Sequence, residues 1–371
     1  MAGYPPQYST DALFTEGSAG LIQAASQIDT VPAQQGSVRF IAADVGGTHA
    51  RVAIVSARRG DAGSVRVEQF RKYVCADYPS LTAILRDFLD AAGGGIEEGS
   101  VACAGYAVAG QVINTNLPWP VSIDEMRNAL GLRRLALVND FEAVAYGVPC
   151  IDNAGTILLC GPAESTASGP VLVVGPGTGL GAAARIPAGS GTVVLATEAG
   201  QTSFSPGTDL EIEILRLLRR GATHVPVEQL LSGPGLVNLY GAICALRGAT
   251  PVLRAPAAIS DAAMQGRDAL AHEALEVFCG LMGGVVGDLV MLYRAQAGVY
   301  LAGGILPQIQ SFLLHSSFKA RFLDKGQMRP VLERVPVRLI EHGQIGVIGA
   351  ASWYLSGAGE NAGAAERAGG R

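Results

Sequence analysis

The chain is 371 residues long, enough for two domains, and 49% of it is hydrophobic, so it can bury a large core. Its net charge of −5 argues against a general nucleic-acid binder, and no stretch reaches the roughly 18 uninterrupted apolar residues of a membrane span. Six cysteines, Cys75, Cys103, Cys150, Cys160, Cys244 and Cys279, lie apart with no C-x-x-C, and the five histidines form no H-x-x-x-H pair. That sets aside a structural zinc and suits a cytoplasmic protein with reduced thiols.

Residues 1–37 carry no Lys or Arg, so they lack the basic start of a secretory signal; they and residues 357–371 are expected to be disordered. Phe40–Val45 then reads as a buried strand, Gly46–Gly47 as a tight turn and Arg51–Val55 as a second strand. Two bare glycines let an anion approach backbone N–H groups, with the Asp44 carboxylate and Thr48 hydroxyl at the mouth; the same residues would also serve an ordinary hairpin. Ser64–Val74 reads as a strand. Leu81, Ile84, Leu85, Phe88 and Leu89 share one face of a helix over Ser80–Ala92 that Gly93 stops. Val101–Val108 is expected as one buried strand. Ser122 and Glu125 form a capping box for a helix reaching Gly131. Leu135–Val138 is a short strand, and a helix starts at Phe141.

Gly147–Pro149 reads as a hinge or boundary. Beyond it, residues 169–186, GPVLVVGPGTGLGAAARI, repeat the strand, glycine turn and strand of residues 39–55. Two α/β halves, each offering one phosphate-binding turn, would explain the recurrence. Thr208–Arg220 reads as a capped helix, and Arg267–Ala297 as a helical region broken at Gly283–Gly284. A strand over Val299–Leu301 runs into Gly303–Gly304. A helix over Gln308–Phe322, a strand over Val335–Ile340 and a helix over Ile345–Tyr354 complete the order.

Gly177, Gly179 and Ala182 fit a loose G-x-G-x-x-A, but no long helix follows, and no Gly-Lys pair occurs for a Walker A loop. A glycine hairpin placing the Thr178 hydroxyl beside phosphate is the better reading. Asp140, with Asn139 before it, sits between a strand and a helix. It can cap that helix, or serve as a general base that accepts a hydroxyl proton during phosphoryl transfer. Glu198 in TEAGQ and Glu228 in VEQLLSGPG are ordinary loop acids singly, yet carboxylates and amides are what grip a polyol. The amides and indole of Asn114–Trp119, NTNLPW, could bound such a pocket.

DVGGTHAR, LVNDFEA, VVGPGTGLG, TEAGQ, VEQLLSGPGLVNLY and GVYLAGGI occur in that order across residues 38–356. Together they resemble the bacterial glucokinase family, outside its zinc-bearing ROK relatives, within the hexokinase–actin ATPase superfamily. The resemblance implies a two-domain, ribonuclease H-like α/β fold around an interdomain cleft. Residues 38–148 with 343–356 would form the smaller domain and 149–342 the larger. It implies ATP-dependent phosphorylation of glucose or a related hexose, with Mg²⁺, in a cytoplasmic homodimer. Asp140 would be the base on the 6-hydroxyl, and Asn139, Glu198, Gln201 and Glu228 sugar ligands. Asp44, Gly46, Gly47 and Thr48 would form the first phosphate turn, Asp44 reaching Mg²⁺ through water. Gly177, Thr178 and Gly179 would form the second, with Gly303 and Gly304 on the adenosine side. Two departures stand out: His49 where relatives often carry Asn, and Gln201 where they often carry a sugar-contacting His. A kinase of another hexose, a superfamily member acting on a carboxylate or hydrolysing ATP, and a non-enzymatic sugar sensor are the rival readings.

Overall fold

The structure, a computed structural model, describes residues 36–108, 111–113, 117, 119–152, 155–189, 191–341 and 343–357. The expected terminal extension and tail lie almost wholly outside the described residues, as do the Asn114 and Asn116 amides.

β1 (Ser37–Val45), β2 (His49–Arg58) and β3 (Asp61–Val74) form an antiparallel meander. α1 (Leu81–Ala92) starts where the Ser80 hydroxyl accepts the Ala83 N–H at 3.1 Å, and it ends on left-handed Gly93. β4 (Glu98–Cys103) follows, and here one expectation is corrected. The chain turns at Ala104–Gly105, where Gly105 takes a φ of 113°, instead of running on to Val108. β5 (Tyr106–Val108) pairs with β6 (Gln111–Ile113), and β6 with β7 (Val121–Ser122), in a separate three-stranded sheet. α2 (Ile123–Ala129), β8 (Arg134–Asn139) and α3 (Asp140–Gly147) follow. The five-stranded sheet has the order β3-β2-β1-β4-β8, with β1, β4 and β8 parallel.

The next segment carries β9 (Thr156–Cys160), β10 (Val171–Pro176), β11 (Leu180–Ala188), β12 (Gly191–Thr197), α4 (Asp209–Arg219), α5 (Gly233–Leu246), α6 (Pro256–Met264) and α7 (Ala269–Tyr293). β13 (Gly298–Leu301), α8 (Gln310–His315), α9 (Phe318–Leu323), α10 (Arg329–Leu332), β14 (Val337–Ile340) and α11 (Ile345–Leu355) complete it. The six-stranded sheet has the order β12-β11-β10-β13-β14-β9.

Two helix expectations change. α7 runs unbroken through Gly283–Gly284, because Gly283 is where α9 presses in: a Cβ there would stand 2.9 Å from the Phe318 carbonyl carbon. α7 is also long and apolar enough to cross a membrane, yet Ala274, Leu275, Phe278, Met282, Val286 and Val290 are fully buried in the core. The helix expected over Gln308–Phe322 is two, α8 and α9. Ser316 turns extended, and its hydroxyl accepts the Phe318 N–H at 3.2 Å.

The two large sheets exchange helices. α3 leaves β8 of the five-stranded sheet and packs Ala143 back on its Ala102 and Val138, but it also buries Val144 and Ala145, with Val148 just past its end, in a cluster with Val173 and Ala183 of β10 and β11. α11 leaves the six-stranded side but buries Val347, Ala351 and Leu355 with Phe40, Ala42 and Val55 of β1 and β2. Each Val, Leu or Phe among them contributes about 1.5–3 kcal/mol on burial. The helices cross at two glycines: a Cβ on Gly147 would lie 3.2 Å from the Gly349 Cα, and one on Gly349 3.1 Å from the Val144 nitrogen. At the other end of β4, buried Glu98 accepts from Arg59 at 3.1 Å, from Arg133 and from the Tyr354 hydroxyl at 2.9 Å. Burial opposes its charge, but these partners outweigh it and hold its pKa below the ordinary value.

Candidate active site

The first glycine turn closes when Gly46 N–H donates to the His49 carbonyl at 3.0 Å. Cys75 N–H holds the Thr48 carbonyl at 2.9 Å, leaving Thr48 exposed. Asp44, at the end of β1, faces Arg51 in the β1–β2 register and forms a 3.2 Å ion pair with it. The first turn of α11 lies against the same carboxylate: a Cβ on Gly346 would come 2.6 Å from Asp44 Oδ2. Burial pushes the Asp44 pKa up, and Arg51 pulls only partly against it. His49 is lowered by burial and by Lys72 and Arg51, so the imidazole is neutral near pH 7.

The parallel register sets Val45, Cys103 and Asn139 side by side. The ends of β1 and β8 are therefore two strand spacings apart, roughly 10 Å. Beyond Asn139 the chain enters α3, and the helix cap settles one alternative. Asn139 Oδ1 accepts the N–H groups of Phe141 and Glu142 at 3.0 and 3.1 Å, so Asn139 is the cap. Asp140 is the first helical residue, its Oδ1 taking the Phe141 N–H at 3.0 Å. Its pKa is pushed up to about 7, by burial first and then by Asp44, against the pull of the Phe141 N–H, with Glu198 adding to the rise. Asp44, Asp140 and Glu198 thus share one electrostatic neighbourhood.

The second turn closes with Gly177 N–H donating to the Gly179 carbonyl at 2.7 Å. Its glycines have different reasons to lack a side chain. A Cβ on Gly175 would sit 2.6 Å from the Ala302 carbonyl carbon, and one on Gly303 2.5 Å from the Pro176 oxygen, so the Gly303–Gly304 turn nests against this hairpin. A Cβ on Gly179 would sit 2.9 Å from Glu228 Cδ, while Gly177 and Gly304 face open space. Glu228 Oε2 accepts the Leu180 N–H at 2.7 Å, and its Oε1 accepts Gln201 Nε2 at 3.2 Å. Glu198 is exposed at the head of the short turn Ala199–Gln201. The Gly177 carbonyl accepts the Gly233 N–H at 2.8 Å, which draws the start of α5 to the same place.

The structure therefore links the residues singled out above in two ways: Glu228 bonds Gln201 and the second turn, and the charges of Asp44 and Glu198 raise the Asp140 pKa. Sequence reasoning missed Arg51, although it stands inside DVGGTHAR opposite Asp44. It also missed Gly346, which only the packing of a distant helix reveals. Among the described residues no cluster of three or more His, Cys, Asp or Glu could hold a metal ion. Asp44 and Asp140, whose raised pKa values a nearby cation would lower, are the described carboxyls that could face one. Such a site fits Mg²⁺ that arrives on polyphosphate oxygens and keeps its waters.

A glucokinase family model matches residues 41–356. The chain belongs to the glucokinase family. A glucokinase-like protein of Xylella fastidiosa (strain 9a5c) is 51% identical over 318 residues, spanning 85% of this chain and 95% of that protein. The glucokinase of Marinobacter nauticus (strain ATCC 700491 / DSM 11845 / VT8) is 38% identical over 309 residues, 83% of this chain and 94% of its own. The crystal structure of a glucokinase from an Antarctic psychrotroph matches with a TM-score of 0.73 at 36% identity, covering 85% of this chain and 98% of the other. The family resemblance read from the motifs holds, and the two sheets with exchanged helices are its two-domain, actin-like α/β fold.

Proposed function

We propose that this chain transfers the γ-phosphoryl group of ATP to the 6-hydroxyl of glucose. The observation that carries the reading is Asp140: a carboxylate at the start of a helix, poised near pH 7 and raised in part by the charges of Asp44 and Glu198. A base is most effective with a pKa near the working pH. Asp140 Oδ1 is held by the Phe141 N–H, which leaves Oδ2 to take the hydroxyl proton. The sugar oxygen then bonds to the γ-phosphorus as the bond to the bridging oxygen of ADP breaks.

Asn139 has its Oδ1 fixed by two N–H groups, so its Nδ2 is oriented to donate to a sugar hydroxyl. Glu228, with each oxygen already accepting one bond, has further lone pairs for two hydroxyls, and Glu198 adds a third acceptor group. Gln201 keeps Glu228 in place with an uncharged amide. Gly46, Gly47 and Thr48 on one side, and Gly177, Thr178 and Gly179 on the other, offer bare amides and hydroxyls to the phosphates, with Gly303 and Gly304 toward the adenosine. Mg²⁺, when bound, neutralises charge on the β- and γ-phosphates, and Asp44 would reach it through water. A smaller domain closed by residues 343–356 beside a larger one, a homodimer and a cytoplasmic setting are parts of this proposal.

A coupled ADP-release assay across hexoses, with ATP and polyphosphate as donors, tests the reading. It predicts the highest kcat/KM for glucose with ATP. Sugar-independent ADP release, or a carboxylate as the better acceptor, would overturn it. Glucose binding with no ADP formed would make the chain a sugar sensor.

A further inference from the structure

Gly181 lies beyond the phosphate turn, paired with Gly175 across the β10–β11 hairpin, so turn geometry does not require a glycine there. A Cβ on Gly181 would instead fall on the ring of Phe141, 2.6 Å from Cγ and closer still to Cδ2 and Cε2. Phe141 is the residue after Asp140. Its backbone N–H donates both to Asp140 Oδ1 and to Asn139 Oδ1, each at 3.0 Å. One residue thus orients the carboxyl with its backbone and seats its ring on the hairpin carrying Gly177–Gly179. Further along α3, Val144 and Ala145, with Val148 just past its end, share a buried cluster with Val173 and Ala183 of the same two strands.

We propose that Phe141 and Gly181 are a positioning pair that fixes Asp140 to the second phosphate hairpin, so that base and hairpin move as one body. This rests on the reading of Asp140 as the base. By sequence, α3 continues the five-stranded sheet, where Ala143 still packs on Ala102 and Val138; Phe141, Val144 and Ala145 pack on the six-stranded one. With the Phe141 ring seated on Gly181 at the first turn of α3, this proposal puts the flexing point of the cleft at Asn139, before the helix, instead of at Gly147–Pro149. The distance from base to phosphate turn then stays set while the cleft opens and closes, which proximity catalysis requires, since a misplacement of about 1 Å can cost on the order of a hundredfold in rate.

Gly181→Ala, Phe141→Leu and the double variant test the pair, with folding followed by circular dichroism. Gly181→Ala is expected to bind glucose like the wild type in calorimetry and to lose about tenfold to a hundredfold in kcat. It should also form more ADP than glucose 6-phosphate. In the double variant, the smaller, ring-free side chain that Phe141→Leu introduces should recover part of that kcat. A folded Gly181→Ala with wild-type kcat, or one whose glucose affinity falls in step with kcat, overturns the proposal. Should Gly181→Ala fail to fold, Phe141→Leu decides by the same split. Hydrogen exchange on the wild type gives a readout independent of turnover. Amides of residues 141–147 should lose protection together with those of 171–188 and apart from 98–103; the reverse grouping overturns the pair. A wild type that forms no ADP with glucose would instead sink the kinase reading and leave the exchange result to judge the pair.

Discussion

Replacing Asp140 with Asn should make the protein more stable while removing its base. The folded state holds this carboxyl at about 7 against an ordinary 3.8. Between those values the folded chain binds a proton that the unfolded chain has lost, so stability falls as pH rises through the window. Each unit is worth about 1.4 kcal/mol, and ionising Asp140 inside the fold therefore costs about 4 kcal/mol above neutral pH. Asn has the same shape, can still accept the Phe141 N–H through Oδ1, and has no proton to lose. Asp140→Asn should exceed the wild type by about 4 kcal/mol near pH 8 and about 2 near pH 5, with no difference near pH 3. Urea titrations of both proteins, without ligands, read this directly. A variant no more stable than the wild type near pH 8 would refute the claim that the fold strains the ionised Asp140 carboxyl.

Three other outcomes follow from the same structure. The acid limb of kcat/KM for glucose should have its midpoint near 7, where Asp140 loses its proton, and Glu198→Gln should move it to lower pH by removing a repelling charge. Glu98→Gln should cost about 2 kcal/mol near neutral pH by weakening the bonds to Arg59, Arg133 and Tyr354. Because the folded pKa of Glu98 is depressed, that stability is present above about 4.5 and lost as pH falls through the lower folded value, so denaturation curves of variant and wild type should converge in acid. Gly349→Ala should destabilise by about 3 kcal/mol through the α3–α11 crossing. Gly241→Ala on α5, with nothing within 4 Å, should stabilise by about 0.5–1 kcal/mol, and the two melting temperatures should move in opposite directions.

Much of the site was legible because its residues come in short, ordered blocks. The paired turns at Gly46–Thr48 and Gly177–Gly179, and the strand-to-helix junction at Asn139–Asp140, are local features with local signals. What stayed hidden was mostly tertiary. Gly175, Gly179 and Gly181 look alike in a glycine run, but each makes room for a different neighbour: the Ala302 carbonyl, Glu228 and Phe141. Gly283 read as a helix break because a partner helix cannot be seen in one segment. α5 and α6 went unread, since their apolar residues wrap most of the surface and give no clean face. The exchange of α3 and α11 between sheets has no sequence mark beyond the small residues where they cross.

The most direct test follows glucose 6-phosphate formation from glucose and ATP by the purified wild type and by Asp140→Asn, with glucose affinity measured in parallel by calorimetry. The account predicts one ADP per sugar phosphate in the wild type, and in the variant unchanged glucose binding with turnover lower by about three orders of magnitude. A variant that binds glucose equally well and turns over close to the wild-type rate would show that the proton goes elsewhere.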